Sequence, residues 1–194
     1  MILKGKMVTL RPVEREDLEF IREMINDPWY EGLIIGWSFP KSRKDQEKWY
    51  EQFENSDKSL RYVLETEADG PIGYCALRNI DWKNGNAEGG GMRVAKRESM
   101  SKGIATDAYM TMLRYAFYEL RLNRVSGVAL GHNAASLKAV SKVGFKVEGT
   151  AREAVYKDGR YQDKIWLGVL KSDYEEIVRQ NNYWGEEWTK KYIG

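Results

Sequence analysis

Cysteine occurs once in 194 residues, at Cys75, and histidine once, at His132. One thiol closes no intramolecular disulfide and builds no cysteine-rich cluster, and one imidazole nucleates no metal site, so no metal is expected. Neither sign of charge prevails. The 31 basic and 29 acidic residues leave a formal +2, too little for a surface that binds nucleic acid by neutralising phosphates, and nucleic acid is not an expected partner. No apolar run approaches a membrane span, and Met1-Ile2-Leu3-Lys4-Gly5-Lys6 lacks the apolar stretch of a secretory signal. These absences lead us to expect no membrane partner and a cytoplasmic location. Internal repeats and low-complexity linkers are missing as well. What remains is a chain long enough to bury one core without staples, with 42% hydrophobic residues and seven tryptophans to fill it.

Spacing supplies the elements. Met7 to Arg11 reads as a strand closed by Pro12, and Glu14 to Ile25 as an amphipathic helix with Leu18, Ile21, Met24 and Ile25 inward, ended by Asp27-Pro28. Trp29 to Pro40 reads as irregular, and Ser42 to Phe53 as a helix with Ser42 as its N-cap. Arg61 to Thr66 and Pro71 to Asn79 are strands across an Ala68-Asp69-Gly70 turn. Asn86 to Val94 is a further strand whose Gly89-Gly90-Gly91 marks either a bulge with a close backbone approach or a loop that runs longer. The stripe Ala105, Ala108, Tyr109, Met112, Leu113, Ala116 and Phe117 is helical. Arg124 to Leu130 reads as a buried strand, Asn133 to Lys142 as a helix capped by Asn133, and Lys146 to Tyr156 and Tyr161 to Leu170 as a hairpin across Asp158-Gly159. Asp173 to Asn181 is helical, while Tyr183 to Gly194 either docks or frays. Alternation of this kind makes a mixed α/β layer structure.

The turn before the central helix carries the first chemical signal. Backbone N–H groups at Lys102, Gly103, Ile104, Ala105 and Thr106 lie at the positive end of a helix dipole, and Gly103 lets a ligand approach the main chain, an arrangement suited to phosphate and equally to simple turn chemistry. Gly103 and Ala105 fit the second half of the acyl-CoA signature [QR]-x-x-G-x-[GA], with Met100 where Gln or Arg is expected. Downstream, Asn133-Ala134-Ala135-Ser136 precedes Val143-Gly144-Phe145, and Glu148-Gly149-Thr150-Ala151-Arg152 precedes Tyr161-Gln162-Asp163. In these segments the chain, from about Met7 to Tyr174, resembles the GNAT superfamily of N-acetyltransferases and within it the ribosomal-protein branch.

The resemblance implies a fold and a cosubstrate. The expected fold is α/β (α+β): a single domain over residues 1–174, with a mixed, mostly antiparallel sheet of about seven strands splayed at a bulge and helices on both faces. Residues 175–194 would form a C-terminal helical extension or tail. Acetyl-CoA is the implied cosubstrate. Its pyrophosphate would meet Lys102 to Thr106, its pantetheine would add to the strand edge at Met92, Arg93 and Val94, and Asn133 would contact the arm as it passes the next helix.

Acetyl transfer to an amine needs a neutral nucleophile. An alkylamine of pKa about 10 is neutral in roughly one molecule per thousand at pH 7, so a base helps. Glu88, at the strand position where the resembling family commonly places such a glutamate, is our first choice, its alternative being a solvated strand-end carboxylate. His132 could transfer protons or serve as a hydrogen-bonded structural residue. Many family members protonate the leaving thiolate with a tyrosine at the position of Val140, which leaves Ser136, matching a serine of the ribosomal-protein branch, or water. Ser136 is equally readable as an ordinary first-turn residue. Trp29, Tyr30, Trp37 and Trp49 either wall an acceptor pocket, with Glu31 drawing in a cation, or are plain core. The expected activity is direct transfer from acetyl-CoA to a primary amine: a protein N-terminus, a polyamine or an amino sugar. Met100 and Val140 also permit an inactive acyl-CoA-binding or interaction module. A homodimer is left open.

Overall fold

Local chemistry sets where the elements start. The computed structural model describes residues 1–36, 39–52, 56–95 and 102–194. Strands β1 (Leu3–Lys4) and β2 (Thr9–Pro12) precede helices α1 (Leu18–Asn26), α2 (Pro28–Glu31) and α3 (Arg43–Glu51). Strands β3 (Leu60–Thr66), β4 (Gly70–Asp81) and β5 (Asn86–Val94) follow, then α4 (Ile104–Arg114), β6 (Arg124–Leu130) and α5 (Ala134–Ser141). The hairpin β7 (Lys146–Lys157) and β8 (Arg160–Leu170) leads into α6 (Lys171–Asn181) and α7 (Glu186–Tyr192). Ser42 opens α3 by a reciprocal box, its hydroxyl accepting the Asp45 N–H while Asp45 accepts the Ser42 N–H. Asn133 caps α5 by accepting the Ser136 N–H at 3.0 Å. Asp158 and Gly159 both adopt positive φ, the geometry that a tight hairpin requires between β7 and β8.

The sheet has eight strands in the order β1-β2-β3-β4-β5-β6-β8-β7, and β5–β6 is its parallel pair. The expectation was about seven. The additional strand is the two-residue β1, paired Leu3 with Leu10 and Lys4 with Thr9, too short to carry a periodic signal. Two further differences are local. Pro28, expected only to stop a helix, opens the short α2, with the Asp27 carboxylate capping the Trp29 N–H at 2.9 Å. The first turn expected at Glu14 is a 3₁₀ turn over Arg15–Asp17, where buried Asp17 takes the Arg11 guanidinium and the Glu14 N–H.

Apolar side chains gather on both faces of the sheet. One cluster, under α4 and α6, includes Leu10, Leu77, Met112, Leu113, Phe117 and Val178. The other lies under α1 and includes Leu18, Ile21, Met24, Tyr30, Val63, Tyr74 and Ala76. Cys75 has no exposed surface, and burial pushes its thiol pKa up, which fits an inert core residue. The C-terminal segment docks: Tyr174 donates to the Met110 carbonyl at 3.1 Å and accepts from the Trp184 indole at 2.6 Å. Phe53, expected on the inner side of α3, lies outside the described residues.

Candidate active site

Strands β5 and β6 pair over only three residues each, Asn86–Glu88 with Arg124–Ser126. Beyond that, β5 continues along β4 to Val94 and β6 continues along β8 to Leu130, so the sheet opens after Glu88 and Ser126. The triple glycine lies in the strand, with a bulge. Between the pairs Ala76–Gly90 and Tyr74–Arg93, two residues of β5, Gly91 and Met92, face Cys75 alone, and Gly91 takes φ +67°. This register aims the edge of Met92, Arg93 and Val94 at the gap rather than at β6.

Helix α4 begins beyond the opened strand. Gly103 is its N-cap, with φ +87° and no capping side chain, and the first helical bond runs from the Asp107 N–H to the Gly103 carbonyl at 2.9 Å. The amides of Ile104, Ala105 and Thr106 therefore precede the helical ladder, as an anion site requires. Lys102 is exposed and Ile104 is buried, so Ile104 offers only its main chain. Met100 lies outside the described residues. Asp107, which the sequence did not single out, is 1% exposed and holds the N-terminal turn against α4 by accepting from the amides of Lys6, Met7 and Val8 and from the Tyr183 hydroxyl. An acid interrupting the first turn of an apolar stripe was the signal that could have found it.

Glu88 is exposed, directly opposite Arg78 on β4 and beside Ser126 on β6. Among the described residues its carboxylate has no hydrogen-bond or ion-pair partner. Ser136 is half-buried, and among the described residues its hydroxyl makes no hydrogen bond. His132 is differently placed. Its Nε2 lies 3.2 Å from the Gly32 carbonyl, which can only accept, so Nε2 carries a proton; Nδ1 lies 3.1 Å from the Gln162 side chain. Both ring nitrogens are spent on positioning. Asn133 likewise donates Nδ2 to the Leu33 carbonyl at 3.1 Å while its oxygen caps α5.

These contacts define a strap over residues 30–36 that crosses the open part of the sheet. On the β5 side, the Tyr30 hydroxyl donates to the Val94 carbonyl at 2.5 Å, and Trp29 packs edge-on against the Tyr30 ring at 4.9 Å. On the far side, buried Lys157 at the end of β7 pairs with Glu31 and donates to the Gly36 carbonyl at 2.8 Å. Glu31, expected to attract an acceptor's cation, is thus engaged by a lysine of the chain itself. Trp49 sits in the neighbouring cluster, its ring 5.0 Å from the Arg61 guanidinium. Trp37 lies outside the described residues. Among the described residues, no group of three His, Cys, Asp or Glu could hold a metal, and no helix is long and apolar enough to cross a membrane.

Residues 7–146 match the model of a GNAT acetyltransferase domain. YdaF of Bacillus subtilis, named as a candidate ribosomal N-acetyltransferase, is 32% identical over 181 residues, covering 87% of this chain and 93% of its own. The spermidine N(1)-acetyltransferase of Vibrio cholerae is 27% identical over 175 residues, covering 88% and 96%. A crystal structure of spermidine N-acetyltransferase from Vibrio cholerae, in complex with CoA and spermine, superposes with a TM-score of 0.81 at 26% identity, covering 88% of this chain and 99% of that one.

Proposed function

The chain belongs to the GNAT acetyltransferase family, as an acetyl-CoA-dependent N-acetyltransferase that acts on amines, and from that premise we propose how its residues divide the work. Acetyl-CoA supplies an activated thioester carbonyl. The amides of Lys102 to Thr106 hold its pyrophosphate, and the edge of Met92, Arg93 and Val94, whose Val94 carbonyl already accepts from the Tyr30 hydroxyl, lays the pantetheine along the gap. Glu88 takes the proton from the acceptor amine, directly or through a water, and Ser136 or a water returns one to the departing thiolate. His132 and Asn133 keep the strap at the right height above the reacting atoms, while Trp29 and Tyr30 line the acceptor side. Among the described residues of the site none pairs a nucleophile with a base, which favours direct attack by the amine over a covalent enzyme intermediate.

A single observation supports this reading: the β5–β6 pairing ends at Glu88 and Ser126, so Glu88 is the last residue before the sheet opens. Alignment of two bound reactants contributes more to such a transfer than the base does, which explains a fold organised around a slot. The relatives' names span polyamine and ribosomal acceptors and do not choose among a polyamine, a protein N-terminus and an amino sugar. A panel of these amines mixed with acetyl-CoA and read by free-thiol release tests the proposal, with calorimetry on acetyl-CoA alone beside it. Thiol release that needs an amine supports transfer. Uptake of acetyl-CoA without release would mark an acyl-CoA-binding module instead, and a Ser136→Ala variant of undiminished turnover would assign the returning proton to water.

A further inference from the structure

The acceptor side of the sheet is lined with positive charge. Directly opposite residues of paired strands share a face, and the register sets Arg61 opposite Ala76, Tyr74 opposite Arg93, Ala76 opposite Gly90 and Arg78 opposite Glu88. Tyr74 and Ala76 belong to the cluster under α1, so Arg61, Arg78 and Arg93 all rise from the face that the strap covers. Arg61 donates to the Tyr74 hydroxyl at 2.9 Å. Arg93 lies over the Tyr30 ring, 5.9 Å from its centre, and its Nε is buried without a hydrogen-bond partner. A Cβ on Gly90 would lie 2.7 Å from Arg78 Nη2. The Arg78 guanidinium therefore lies across Gly90, leaning from Glu88 toward Arg93.

Burial disfavours the Arg93 guanidinium and Arg78 is close enough to repel it, a cost that an anion placed between the two would offset. The protein supplies little of that anion. Among the described residues neither Arg78 nor Arg93 has an ion pair with a carboxylate; Glu31, close enough for Arg93 to feel its charge, is shared with Lys157. Guanidinium forks match planar oxygen anions in pairs of parallel hydrogen bonds.

We propose that the acceptor is an amine that also carries an oxygen anion, a carboxylate or a phosphate, which docks between Arg78 and Arg93 while the nitrogen faces Glu88. This inference rests on the transfer reading above and narrows it: a bare polyamine brings only cations to a face already positive, whereas an amino acid or an amino phosphate brings both charges that the face can match.

Matched acceptors isolate the anion. The ω-amino acids of two to six carbons are compared with alkylamines of the same length, together with phosphoethanolamine and spermidine, by thiol release with acetyl-CoA. The expected result is a preference of about tenfold or more in kcat/KM for an anionic acceptor over its alkylamine, expressed mainly in KM, and largest at one chain length. That preference should fall to about threefold or less in Arg78→Gln/Arg93→Gln. Phosphoethanolamine ahead of the amino acids identifies phosphate, and the reverse order identifies carboxylate. Arg78 is exposed, so Arg78→Gln alone keeps the comparison readable if the change at Arg93 disturbs folding; it should lower the preference on its own. Alkylamines or spermidine equal to or better than the anionic acceptors, or a preference that survives both substitutions, overturns the inference and leaves acetyl transfer standing. Release with no amine at all overturns both.

Discussion

The two faces of the sheet differ in how completely they match their buried polar groups. Under α4 and the C-terminal helices they are matched: Asp107 collects three amides and a hydroxyl, and Tyr174 both donates and accepts. On the other face, Arg93 Nε beside the strap and Gln46 Nε2 on α3 are buried without partners. An unmet buried donor costs about 1–3 kcal/mol, so a fold keeps several together only where something else meets them. The network under α4 is closed by the chain itself, whereas beside the strap Arg93 Nε stays unmatched, which is what the proposed anion dock would use.

Breaking the satisfied face should have the largest effect. Asp107→Ala strands three amides near the N-terminus and one tyrosine hydroxyl, and we expect a loss of about 3–5 kcal/mol, read as a lower urea midpoint at unchanged slope. If the midpoint held, the matched network would be ornamental. On the open face the largest effect is catalytic. Glu88→Gln should lower kcat/KM about a hundredfold or more at pH 7 and less at pH 9.5, where more of the amine is already neutral; equal losses at the two pH values would remove Glu88 as the base. A smaller effect belongs to the strap that crosses the open face. Lys157→Gln releases Glu31 and Gly36 and should raise the acceptor KM about five- to tenfold, with the KM for acetyl-CoA much less affected, measured by varying each substrate in turn.

Legibility followed sequence distance. The caps at Ser42 and Asn133 and the Asp158-Gly159 hairpin depend on neighbours within a few residues, and they were readable. The glycine run left a bulge and a longer loop both open, and the splayed sheet was expected only from the family resemblance; the register decides for a bulge within the strand. The contacts that shape the site were not readable. Asp107 finds its amides about a hundred positions away, His132 and Asn133 reach Gly32 and Leu33 across 100 positions, and Lys157 reaches Glu31 across 126. No local pattern announces such partners. Glu31 read as a lure for a cation only because its own cation was out of sight. Arg61, Arg78 and Arg93 share a face only once the strand register and the bulge at Gly91 are known, and a one-residue slip would have sent Arg93 to the other side.

An exposed ion pair sets the lower end of the same scale. Arg124 on β6 and Glu148 on β7 form a two-pronged pair across Gly168 of β8, where any side chain would collide with the Glu148 carboxylate. Hydrogen bonding to Arg124, more than the Coulomb attraction itself, lowers the Glu148 pKa against a smaller opposing effect of desolvation. A carboxylate whose folded pKa is depressed stabilises the protein fully above its unfolded pKa, about 4.3, and loses that contribution as the pH falls through the lower folded value. Glu148 is 40% exposed, so solvent screening holds the gain to a few tenths of a kcal/mol. Glu148→Gln should therefore lie slightly below the parent in urea midpoint at pH 6 and converge with it near pH 3, and 0.5 M salt should shrink the gap at pH 6. A gap that widened in acid would mean that the pair does something other than neutralise charge, and a gap as large as that of Asp107→Ala would erase the distinction between a network sealed in the core and a clasp left in water.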